Sequence, residues 1–185
     1  MRTLGAFGEQ AWKFGTALGE PRRGPGHLLV VGERDLEPWH FVAHLRDHAV
    51  RGGREDLLPV LLRWRVPAGA PPHLAIPVDR LGKVSRDQTV LVIDPLGGHP
   101  ELLERVADAR RRGARIATVH KGQAQLLELS HETLLVDSSY PDDRFEMAQH
   151  LVSLAAPLAP GRMVPPTGLL QRWRPRKSPC RGGGG

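Results

Sequence analysis

His40, His44 and His48 recur at every fourth position of "EPWHFVAHLRDHAV" (residues 37–50). In an α-helix such residues are neighbours along one stripe, and neutral imidazole is a common ligand of divalent transition metals. The spacing is that of a metal site on a helix face; a solvated histidine face is the other arrangement it allows. A second candidate is "IDPLGGHP" (residues 93–100), between an apolar run and a charged helical pattern. At such a turn the amides of a helix N-terminus point at an anion. Gly97 and Gly98 let the backbone approach a ligand, and His99 offers a pH-dependent donor. Asp94 works against this, since a carboxylate repels a phosphate unless a metal or an arginine screens it. The stretch is therefore either a phosphate loop or a tight Gly-Gly turn that Asp94 caps locally with no ligand. In the earlier turn "GERDL" (residues 32–36) Gly32 closes a strand, and Arg34 can replace a neutral phosphate donor by charge.

Positioning these residues falls to alternating strands and helices. "HLLVVGE" (27–33), "TVLVID" (89–94) and "ARIATVH" (114–120) are apolar runs too continuous to leave one face wet, and "DLLPVLLRWRV" (56–66) and "ETLLVDSS" (132–139) predict two more strands. Helices are predicted from Pro38, which suits a first turn, over "HPELLERVADARRRG" (99–113), and over "DDRFEMAQHLVSLAAPL" (142–158) with Asp142 or Asp143 as N-cap. Leu4, Phe7, Ala11, Phe14 and Leu18 predict a first helix over residues 1–20, its apolar stripe packing on another surface such as a second subunit. "VPAGAPPHLAIP" (66–77) reads as loop. The alternation predicts an α/β fold with one doubly wound parallel sheet between two helical layers.

With 185 residues and 40% hydrophobic content, the chain can bury one sizeable core. We expect one domain over residues 26–157, an oligomerising helix before it, and a Pro/Arg/Gly-rich disordered tail over 158–185. The formal charge of +6 is concentrated in that tail, where Arg172, Arg174, Arg176, Lys177 and Arg181 fall within the last fourteen residues. Nucleic-acid binding is thus not expected of the body of the protein. The single cysteine, Cys180, also lies in the tail and cannot form an internal disulfide. No apolar run approaches the roughly 20 residues of a membrane span, and the start lacks a signal-peptide core. A cytoplasmic protein with no membrane association is expected. Neither a dinucleotide fingerprint, a P-loop nor a nucleophile elbow occurs, so no nucleotide cofactor is expected.

The run "TVLVIDPLGGHPELLERVADARRRGARIATVH", then "LSHETLLVDSS" and "YPDDRFEMAQHLVSLA", preceded by "VVGERDLEPWHFVAHL", resembles the sugar isomerase (SIS) domain, and within it the phosphoheptose isomerases. The likeness covers about residues 26–156. It implies a flavodoxin-like three-layer α/β/α fold, a homodimer or homotetramer, and a sugar phosphate held where loops of neighbouring subunits meet. Members of the family isomerise sugar phosphates, sense them without catalysis, or bind the replication initiator. On this likeness Gly32, Arg34, Asp94, Gly97, Gly98 and His99 fall in the substrate loops, although the hydroxyl residues of the family's phosphate loop are absent. The family's histidine helix carries a histidine and, four residues on, a glutamate that is zinc ligand and proton-transfer group. His40 matches the first and His44 stands in place of the second. The last helix adds a glutamine and, eight residues on, a histidine; aligned through Asp143 and Arg144 these fall on Glu146 and Leu154. His150 follows Glu146 by one turn on the same face, so His40, His44, Glu146 and His150 together form a chemically reasonable zinc set. His44 and Glu146 would then be the proton-transfer pair of an enediol route. The resemblance leads us to expect a domain that binds a sugar phosphate or related metabolite with little or no isomerase activity. An active sedoheptulose 7-phosphate isomerase with a rearranged His/Glu site and a non-catalytic partner of another protein are the alternatives.

Overall fold

Runs rich in Leu, Val and Ile form the strands, and each strand is followed by a segment that must cross back to start the next in the same direction. In the computed structural model, which describes residues 4–20, 26–97, 99–136 and 143–158, five strands make one parallel sheet. They are β1 (Leu28–Gly32), β2 (Val60–Leu62), β3 (Thr89–Asp94), β4 (Arg115–His120) and β5 (Glu132–Leu135), in the order β2-β1-β3-β4-β5. All residues of β1 and β3 are buried, as expected of strands covered on both faces.

The helices are α1 (Leu4–Leu18), α2 (Trp39–Arg51), α3 (Pro100–Arg111), α4 (Ala124–Leu129) and α5 (Asp143–Ala155). Side chains alternate across the sheet and so feed two cores. Leu28, Val30, Leu91, Ile93, Ala117 and Val119 pack under α1, α2 and α5. Leu29, Val31, Val90, Val92 and Ile116 pack under α3, α4 and residues 78–84. The fold is the expected three-layer α/β domain.

Three features differ from the sequence expectation. The apolar stripe of α1 is buried within this same chain, with Phe7, Ala11, Phe14 and Leu18 joining the core under α5. The region after β2 is not plain loop: 3-10 turns form at Pro72–Leu74 and Val78–Lys83, and Val78, Leu81 and Val84 enter the second core. Their spacing of three suits a 3-10 turn, which does the covering that a crossover helix does elsewhere. The short helix α4 was not expected, because six residues give too little periodicity to read. Gly98, Asp142, Cys180 and the basic tail lie outside the described residues. Among those described, no helix is long and apolar enough to cross a membrane.

The chain runs from β1 out to the β2 edge and then returns past β1 to β3. The loops after β1 and β3 therefore diverge, and a crevice opens between the C-terminal ends of these strands. Both candidate substrate loops and the start of the histidine helix lie at this end.

Candidate functional site

Helix α2 starts directly beyond the β1 loop, with Pro38 packed against Gly32, where a Cβ would meet Pro38 Cδ at 2.6 Å and the Leu36 oxygen at 2.4 Å. Phe41, Val42 and Leu45 turn into the core, which leaves His40 and His44 on the face toward α5. Met147, Ala148 and Val152 anchor α5 in the same core, and His150 faces α2. His40 Nε2 lies 3.0 Å from His44 Nε2 and 3.3 Å from His150 Nε2. Ring centroids are 4.5 Å apart for His40 and His44, 4.5 Å for His44 and His150, and 5.0 Å for His40 and His150. Donor atoms of all three residues lie within 4.8 Å of one another.

This arrangement suits a metal better than it suits hydrogen bonding alone. His40 Nε2 carries either one proton or one lone pair, so it can make only one well-aligned hydrogen bond to its two neighbours. Tetrahedral zinc with bonds of about 2.0 to 2.1 Å holds its nitrogen ligands roughly 3.3 Å apart, close to the spacings found. Burial pushes His44 below its ordinary value of 6.5, and the neighbouring His150, His40 and His48 push it further, against Asp47. Burial likewise lowers His150, helped by His40 and His48 and opposed by Glu146. Both rings are thus held in the neutral form that ligates metal. The donor set fits zinc. Glu146 sits at the rim, with its Oε1 3.9 Å from His150 Nε2 and its side chain 57% exposed. His48 stacks on His44 at 6.3 Å and lies beyond the trio.

The phosphate-loop candidates are arranged differently. Asp94 is fully buried, and its Oδ1 accepts hydrogen bonds from the Leu96 and Gly97 amides at 3.1 and 2.9 Å. The loop's own carboxylate therefore takes amides that a phosphate would need. Gly97 adopts φ 135°, a left-handed conformation that favours glycine. His99 is the N-cap of α3, with Nδ1 accepting from the Glu101 amide at 3.3 Å. Arg34, exposed beyond the β1 turn, pairs with Glu101 at 2.5 Å and lies over Trp64 at 5.1 Å. Glu101 is also held by Arg105 at 3.0 Å. Arg34 thus already has an internal carboxylate partner.

A residue that sequence reasoning passed over, His120, meets the candidate Asp94 here. Parallel register sets His120 beside Asp94, both fully buried. His120 Nδ1 receives the Gly122 and Gln123 amides at 3.1 and 3.0 Å, while His120 Nε2 and Asp94 Oδ2 have no hydrogen-bond partner among the described residues. Only the polar residue ending each of the apolar runs "TVLVID" and "ARIATVH" hinted at this. Trp64, whose Nε1 donates to the Gly32 carbonyl at 2.9 Å, carried no sequence signal either.

Strand order and helix placement define a doubly wound parallel α/β domain. No family model and no curated protein matches the sequence. Among solved structures, the sugar isomerase domain of the RpiR transcription factor from Sphaerobacter thermophilus superposes with a TM-score of 0.54, at 11% identity over 83% of each chain. The NanR protein of Vibrio vulnificus, solved in complex with ManNAc-6P, gives 0.47 at 13% identity over 80% of this chain and 51% of that one. The chain spans about half the length of NanR. It has the fold of a sugar isomerase domain.

Proposed function

We propose that this protein is a metabolite-binding domain of the sugar isomerase fold that carries a divalent metal on His40, His44 and His150, without phosphosugar turnover through the loop after β3. The observation that carries this reading is the convergence of three imidazole nitrogens from two helices at near-ligand spacing. Imidazole donors suit zinc. When bound, zinc would act as a Lewis acid on an oxygen of the ligand.

The chain's own residues do the rest. Helices α2 and α5 fix the three rings, and the lowered pKa values of His44 and His150 keep their lone pairs free near neutral pH. Glu146, at the rim, would exchange a proton with a bound ligand. Asp94 and Glu101 meet the loop amides and Arg34 from within, which disfavours a phosphate in the loop.

Zinc titration by calorimetry should give one ion per chain, and His44→Ala should abolish it while His48→Ala keeps it. Absence of zinc binding in the parent chain would overturn the reading. Conversion of sedoheptulose 7-phosphate by the zinc-loaded protein, lost in Glu146→Gln, would replace it with the active isomerase.

A further inference from the structure

His40 also borders a recess of about 150 Å³ at the C-terminal end of β3. Leu36, Pro38, Ile93 and Phe145 form its apolar walls, and Glu37, His40 and Gln149 are its polar members. Its volume is the first constraint on what it takes. Sites for drug-sized ligands run about 300 to 1,000 Å³, whereas an apolar cavity of about 150 Å³ accommodates benzene, with about six heavy atoms. A sugar phosphate is far larger.

Charge is the second constraint. Glu37 brings little free negative charge, because Arg63 pairs with it at 2.9 Å and Trp39 Nε1 donates to it at 2.7 Å, with the Glu37 and Arg63 side chains each only 14% exposed. Neutral imidazoles leave the double charge of a divalent ion uncompensated, and Glu146 stays at the rim 3.9 Å from His150. A further ligand at the metal is favoured if it is an anion.

We propose that the recess binds a short-chain carboxylate of about four to six heavy atoms, its carboxylate toward His40 and its carbon body between Leu36, Ile93 and Phe145. This rests on the metal reading and narrows the metabolite class that goes with it.

The test is calorimetry on the zinc-loaded full chain with acetate, butyrate and octanoate, alongside a zinc titration of every variant. Affinity is expected to rise about fourfold per buried methylene from acetate to butyrate, and to fall for octanoate, which overfills the recess. Leu36 is 46% exposed, so Leu36→Trp narrows the recess from its rim without disturbing the core; it is expected to weaken butyrate at least tenfold with zinc stoichiometry unchanged. Zinc binding with no preference for butyrate over acetate, with tighter octanoate, or with butyrate unaffected in Leu36→Trp overturns the carboxylate inference and leaves the metal reading standing. A chain that binds no zinc removes both. Sedoheptulose 7-phosphate binding as tightly as butyrate, and weakened equally by Leu36→Trp, overturns the size argument.

Discussion

Asp94 shows how one side chain can change what a loop does. Its carboxylate is buried and accepts two backbone amides. Asp94→Ala should therefore lower stability in urea by about 1 to 3 kcal/mol, the usual range for stranded buried donors, while Asp94→Asn, which still offers an oxygen, should retain most of it. At the histidines, protons and metal compete for the same lone pairs. His44 and His150 both lie below 6.5. Zinc affinity should weaken as pH falls through the lowered values of these two rings; calorimetry across pH checks it, and affinity that rises as pH falls would contradict it. The metal-free protein should follow the same sign. Folded His44, His150 and His120 hold fewer protons than unfolded histidine below 6.5, so acid favours the unfolded chain and stability falls as pH drops below that value.

Helices α1 and α5 cross closely enough to exclude side chains. A Cβ on Gly15 would lie 2.7 Å from Ala155 Cβ and 2.8 Å from the Val152 oxygen, and one on Gly19 only 1.8 Å from the Ala156 oxygen. Because the obstacle at Gly19 is backbone, it cannot rotate away. Gly19→Ala should cost about 1 to 3 kcal/mol, the range for overpacking, and should weaken zinc binding because α5 carries His150. Gly5 lies on the same helix with nothing within 4 Å of its Cβ position. Gly5→Ala should stabilise by about 0.5 kcal/mol. Opposite signs from the two glycine replacements, one inside α1 and one just past its end, measured by urea denaturation, separate packing from propensity. Elements with strong periods, α2, α3, α5, β1, β3 and β4, were legible from residue pattern alone. The 3-10 turn over Val78–Lys83 and helix α4 were not, since six residues make at most two turns and leave no repeat to detect.

Across the whole molecule, α1 is part of the core it covers. Phe7, Ala11, Phe14 and Leu18 are all buried with residues of α2, α5 and the sheet. A chain beginning at Gly26 should lose its cooperative urea transition; a preserved transition would mean that α1 is dispensable packing. The metal site depends on this integrity at a distance, because α1 presses α5 toward α2.

By itself, the sequence determined the alternation of buried strands and amphipathic helices, the histidine stripe at four-residue spacing, and the glycine-bearing loop after β3. These are local patterns, and local backbone geometry converts them directly into faces and turns. Tertiary structure alone decided that His120 stands beside Asp94 in register and that Glu101 reaches Arg34 across 67 residues; the meeting of His150 with His40 across 110 residues was expected from the family resemblance and not from any local pattern. Strand order and helix packing set those meetings. No periodicity encodes them, because each depends on which elements come to lie side by side once two faces of one sheet have been covered.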